Sequence, residues 1–167
     1  MRWNDKPYHT LDYELKKKYG EKIYKIALDA NMTCPNRDGS CGTRGCIFCS
    51  AGGSGDFAAK GTSIKQQLEK GKQIFHNKTI GNHFIAYFQS YTNTYAPISK
   101  LENLYREALE ESSVVGISIA TRPDCLGKEV LALLDDLNKM YVDKFIWIEL
   151  GLQTIHEPVS YTHLRAH

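Results

Sequence analysis

Cys34, Cys41, Cys46 and Cys49 crowd one segment of the chain, TCPNRDGSCGTRGCIFC. Thiolates held this close either bind a metal or form disulfides. Gly39, Gly42 and Gly45 let the backbone between them curl around a central object at little steric cost. The segment closes on Cys46-Ile47-Phe48-Cys49, whose two-residue spacing brings two sulfurs onto one metal centre. Metal is therefore the favoured partner.

Three kinds of centre fit the spacing. A structural zinc site would use all four thiolates tetrahedrally. It usually shows two tight C-x2-C pairs, and only Cys46/Cys49 is one. A conventional iron–sulfur electron carrier likewise takes four ligands. The third is a [4Fe–4S] cluster on Cys34, Cys46 and Cys49 alone, leaving one iron free to chelate a small molecule. Spacing by itself leaves these open.

The elements that must position the cysteines can be read from periodicity. Leu11, Leu15 and Tyr19 mark a short helix over 10–20 closed by Gly20, and 23–28 reads as a strand leading into the cysteine loop. A helix from an N-cap at Thr62 or Ser63 is expected to run to about His76. Strand 83–88 follows, then the polar segment 89–94 and a helix beyond Ala96-Pro97. Strand 114–119, broken by Thr121-Arg122-Pro123-Asp124, precedes a helix carrying Val130, Leu134, Leu137 and Tyr141. Strand 145–150 is the fourth. Strands this apolar, alternating with helices, imply an α/β fold: a parallel sheet covered on both sides. The polar motifs all fall just after strands, the edge where such sheets place their sites.

Other residues invite plainer readings. Gly52-Gly53-Ser54-Gly55 lacks the lysine of a phosphate loop and is expected to be a packing turn behind the cysteines. Asp124 is expected to cap the following helix, and Cys125 to be a small buried residue at the rim. Tyr87, Phe88, Tyr91 and Tyr95 could stack nucleic-acid bases at a rim, but aromatic clusters on an apolar strand are more often core. Lys16-Lys17-Lys18 reads as a solvated helix face. A net charge of +2 is compatible with a nucleic-acid partner without arguing for one. Residues 1–20 hold no apolar stretch of a secretory signal, and no apolar run approaches the roughly 20 residues of a membrane span. A cytoplasmic, reducing setting is the default expectation, where clustered cysteines are more often ligands than bridges.

Four motifs in order, TCPNRDGS…RGCIFCSAGGSGDF, YFQSYTNTYAP, GISIATRPDCL and WIELGLQTIHE, resemble the YhcC/YtqA (MnmL) family of radical S-adenosylmethionine (SAM) proteins. That family is related to the catalytic subunit of Elongator, and the resemblance runs from about residue 5 to Glu157. It implies the three-cysteine arrangement: a [4Fe–4S] cluster on Cys34, Cys46 and Cys49, with S-adenosyl-L-methionine on the open iron. Phe48 would lie against the adenine, and Gln89 and Ser90 near the methionine amino group. Arg122 would take the carboxylate and Gln153 the ribose. Cys41 would be no ligand. The implied fold is the first half of a partial (β/α)6 radical SAM barrel with an N-terminal helical extension. The implied function is radical SAM chemistry, with tRNA wobble-uridine modification as the expected reaction and a flavodoxin or ferredoxin as electron donor. Residues 1–157 are expected to be a truncated core domain of about four βα units, and 158–167 a non-native tail. The rival readings are a zinc-binding interaction domain without catalysis and a radical SAM enzyme acting on a substrate other than RNA.

Overall fold

Thr10 and Ser63 each stand ahead of a helical run, and each accepts a hydrogen bond from the backbone three residues on, at 3.1 and 3.2 Å. In this computed structural model, which describes Trp3 and residues 6–75 and 81–159, they open helices α1 (Leu11–Tyr19) and α2 (Ile64–Ile74). Gly20 closes α1 in the left-handed conformation. His76, where α2 was expected to end, lies outside the described residues. Strands β1 (Tyr24–Leu28), β2 (Phe84–Phe88), β3 (Val114–Thr121) and β4 (Phe145–Leu150) alternate with these and with α3 (Ile98–Glu110) and α4 (Lys128–Met140).

The four strands form one parallel sheet in the order β1-β2-β3-β4. Parallel neighbours need a crossover between them, and α2, α3 and α4 supply it. Their apolar stripes bury the main core on one face, around Ile26, Leu28, Leu68, Phe88, Leu101, Tyr105, Ile117, Ile119 and Leu137. Tyr105 and Phe88 meet edge to face at its centre, with centroids 5.2 Å apart.

The other face is covered only in part. Helix α1 lays Leu15 against Ile23, Ile85 and Val115, with Tyr19, Phe145 and Trp147 alongside. These residues lie toward the N-terminal ends of the strands, and the upper half of the face is left open. Expected cover on both sides therefore holds for β2 and β3 but not for β4. As an edge strand, β4 leaves Ile148 and Leu150 exposed.

Two boundaries also differ from expectation. Asp124 does not cap α4: it sits inside a 3-10 turn, Pro123–Cys125, and Gly127 precedes α4. Asp124 lies three residues ahead of Gly127, which occupies the N-cap position, and its carboxylate is taken by Arg122. A single helical turn, Glu157–Val159, extends past the point where regular structure was expected to stop. The rest of the expected tail, 160–167, lies outside the described residues. Among the described residues no helix is long and apolar enough to cross a membrane.

Candidate metal and cofactor site

The cysteine loop is folded by its own backbone. Cys34 O accepts from Arg37 N at 2.8 Å, Pro35 O from Cys41 N at 2.8 Å, Asn36 O from Gly45 N at 2.8 Å, and Cys46 O from Cys49 N at 3.0 Å. Arg37 staples the far end, donating through Nη2 to Ser50 O at 2.6 Å. The glycine turn then packs down on the segment after β2. Gly53 has φ +60, and a Cβ there would meet the Tyr91 ring at 2.3 Å; one on Gly55 would meet Ser90 Oγ at 1.8 Å. This is the packing turn expected from the sequence.

The result is a cavity of about 620 Å³ at the C-terminal edge of the sheet. Cys34, Cys46 and Cys49 line it, together with Phe48, Gln89, Arg122 and Gln153. Cys41 does not line it and is exposed. Ser90 is the one predicted site residue off the wall: it is buried beneath Gly55, its hydroxyl without a hydrogen-bond partner. Of the polar segment after β2, Gln89, Tyr91 and Thr92 reach the cavity. Asn93 and Thr94 instead tie the frame. Asn93 Nδ2 donates to Phe88 O and Ala120 O, both at 3.0 Å, and Thr94 Oγ1 meets Thr121 Oγ1 at 2.6 Å and donates to Cys125 O at 2.7 Å.

The aromatic residues divide. Phe88 is core, while Tyr87 and Tyr91 line the cavity. Tyr91 Oη donates to Ala51 O at 2.9 Å, which ties it to the glycine turn.

Arg122 is more engaged than a free guanidinium. Its Nε and Nη2 fork onto the two oxygens of Asp124 at 2.9 and 2.5 Å, and Nη1 donates to Asn36 Oδ1 at 2.6 Å. Cys34 Sγ lies 4.0 Å from the same Nη1. The hydrogen bonds from Arg122, and after them its charge, hold the Asp124 carboxyl below its ordinary range against the opposing effect of burial. Burial, and next the Asp124 charge, push the Cys125 thiol up to about 11.

Cys46 carries the electrostatic signature of the site. Burial raises its thiol, the Asn36 N–H on Sγ at 3.0 Å pulls it back in part, and the neighbouring Cys49 and Cys34 sulfurs push it up again. Cys34 and Cys49 thus stand near enough for their charges to be felt at Cys46. Among the described residues no three His, Cys, Asp or Glu side chains already close on a single ion-sized point. Thiols are donors that zinc and iron–sulfur centres both take.

Sequence reading missed two groups. Asn36 and Arg37 were not singled out from the sequence, yet both brace the cysteine loop. The second group crosses the open face below the cavity, one residue from each strand: Lys25, Tyr87, Ser118 and Glu149. Lys25 Nζ donates to Glu149, reaches Ser118 Oγ at 3.5 Å, and sits 4.4 Å from the Tyr87 ring centroid. Burial first, and then the Glu149 charge, push the Tyr87 phenol up to about 12. The signal was present in the strands, since each nearly apolar run carries one polar side chain on the face away from the helices.

No family model matches the chain. It is 47% identical over 164 residues to the uncharacterized protein YtqA of Bacillus subtilis strain 168, covering 98% of this chain and 50% of that protein. It is 36% identical over 154 residues to protein YhcC of Escherichia coli K12, covering 92% and 48%. With the uncharacterized protein MJ0486 of Methanocaldococcus jannaschii it shares 39% over 147 residues, 86% and 43% of the two chains. The chain thus spans about half the length of the curated relatives it matches.

Proposed function

We propose that this chain carries the cofactor-binding half of a radical SAM enzyme, with Cys34, Cys46 and Cys49 holding a [4Fe–4S] cluster. The observation that carries the reading is a partition of thiols. Those three sulfurs line one cavity at the C-terminal edge of a parallel sheet, and Cys41, from the same loop, stays outside. Phe48, Gln89, Arg122 and Gln153 line the same space.

Held there by Cys34, Cys46 and Cys49, the cluster with SAM would supply one-electron reductive cleavage of SAM and radical hydrogen abstraction, the electron coming from an external donor. The chain's own residues do the positioning. Phe48, half-exposed on the wall, offers a flat face to the adenine. Gln89 and Gln153 each present an amide that both donates and accepts. Arg122 and Asp124 together put a guanidinium at the rim whose carboxylate partner could exchange for that of SAM. Lys25, Tyr87, Ser118 and Glu149 form a polar floor on the side where the sheet is open. The fold that suits this is the first half of a partial (β/α)6 barrel. A flavodoxin or ferredoxin is the class of donor. tRNA is the substrate class that the resemblance suggests.

Anaerobic reconstitution with iron and sulfide tests the core of this. A brown protein whose reduced-state EPR signal changes on adding SAM is expected. Cys46→Ala should lose the cluster, while Cys41→Ala keeps it. One equivalent of zinc with no response to SAM would establish the rival reading, a zinc-binding interaction domain. Salt-sensitive binding of labelled tRNA by a chain of the relatives' full length tests the substrate class, and no binding at low salt removes it.

A further inference from the structure

Asn36 follows Cys34 by two residues, is only 7% exposed, and uses its carboxamide at both ends. Oδ1 accepts from Arg122 Nη1 at 2.6 Å, and Nδ2 donates to Cys46 Sγ at 3.0 Å. The amide cannot be turned the other way, because a guanidinium has no acceptor to offer an NH2 group. Arg122 thus decides that an N–H faces the sulfur. Asp124 in turn fixes Arg122 through its two-point fork. The backbone joins in, since Asn36 O accepts from Gly45 N, one residue before Cys46.

An N–H aimed at a neutral thiol gains little, whereas one aimed at a charged sulfur is roughly twice as strong as a neutral hydrogen bond. The relay Asp124–Arg122–Asn36 is therefore best matched to a Cys46 that is a thiolate bonded to metal. Hydrogen bonds to ligating sulfurs are among the groups that set cluster potentials, because an added electron spreads onto the sulfurs and a donor stabilises that state more than the oxidised one.

We propose that Asn36, oriented by Arg122, is a positioning residue whose N–H···S bond to Cys46 raises the reduction potential of the cluster. This rests on the [4Fe–4S] reading above. It also gives Arg122 a role toward the cluster through Asn36, beside any contact with SAM.

The test is an EPR-monitored potentiometric titration of the anaerobically reconstituted chain. Asn36→Leu keeps the shape and removes the donor; Asn36→His restores a ring N–H at similar reach. With equal iron and sulfide content, Asn36→Leu should shift the reduction equilibrium about tenfold toward the oxidised form, about 59 mV for one electron. Asn36→His should recover most of that. Equal potentials in wild type and Asn36→Leu overturn the inference and leave the proposed function standing. Should Asn36→Leu fail to hold iron, Arg122→Leu serves, since it frees the amide to turn: a smaller fall supports the proposal and no fall overturns it. A wild-type chain that takes up no iron–sulfur cluster overturns the proposed function and this inference together.

Discussion

Lys25 on the first strand and Glu149 on the last form an ion pair across the open face of the sheet, and Ser118, between them, donates to the same carboxylate oxygen at 2.5 Å. The pair spans 124 positions of sequence, so it can form only once all four strands are in register. Burial works to raise the Glu149 carboxyl, but hydrogen bonds from Lys25 and Ser118 outweigh it and hold the group below its ordinary value. A depressed carboxyl adds stability above its unfolded value, and that stability is lost as pH falls through the folded one. Both side chains are about a third exposed, which screens the interaction to about 1 kcal/mol. Urea denaturation at neutral pH should show Lys25→Met and Glu149→Gln each destabilised by about that amount. The wild-type advantage over Glu149→Gln should vanish at acid pH, and an advantage that persists there would contradict the assignment.

Gly55 is expected to tolerate no side chain. A Cβ there would meet Ser90 Oγ at 1.8 Å and Ser90 Cβ at 2.7 Å. Gly55→Ala should cost about 1–3 kcal/mol through overpacking. Ser90→Gly removes both atoms and should recover part of the loss in the double variant. Independent, additive effects by thermal denaturation would mean that the two do not touch.

Asn93 is fully buried and holds the ends of β2 and β3 together through Phe88 O and Ala120 O, while its own carbonyl accepts from Tyr105 Oη at 2.5 Å. Asn93→Ala should take the side-chain donor from Phe88 O and Ala120 O, leaving Ala120 O its bond from the residue's backbone N–H, and cost about 1–3 kcal/mol. Tyr105→Phe should cost about 1 kcal/mol, the net worth of one ordinary hydrogen bond. Because Asn93 frames the cavity without lining it, Asn93→Ala should lower stability more than it changes affinity for SAM, measured by equilibrium dialysis on reconstituted protein.

What could be read in the sequence was local, and most of what could not was long-range. Helix caps at Thr10 and Ser63, the periodicity of α2 to α4 and the four apolar strands are set by near neighbours. The convergence of Cys34, Phe48, Gln89, Arg122 and Gln153 on one cavity follows from a general property of parallel sheets, whose strand ends share an edge. Asn36 was invisible because its partner Arg122 is 86 positions away and no pattern in the letters links them. Asp124 was misread for a local reason: next to a free helix end it is a cap, but its neighbour two positions back, Arg122, takes it as a counter-ion. The half-open β4 was misread because an apolar strand looks alike whether or not a neighbour covers it.

The thiols should separate by reactivity in the reduced, metal-free protein. Cys41 is exposed and off the cavity, while Cys125 is partly buried with its thiol pushed up to about 11. At pH 8 such a thiol is charged in only about one molecule in a thousand, and the thiolate is the nucleophile. Iodoacetamide labelling followed by peptide mass spectrometry should therefore modify Cys41 at least about tenfold faster than Cys125. Raising the pH should speed Cys125 steadily up to about 11. Asp124→Asn removes the nearby negative charge that helps to raise the thiol, so it should speed Cys125 at a fixed pH. If Cys125 reacts as fast as Cys41 in the folded protein, the 3-10 turn at Pro123–Cys125 does not shield it as the structure has it.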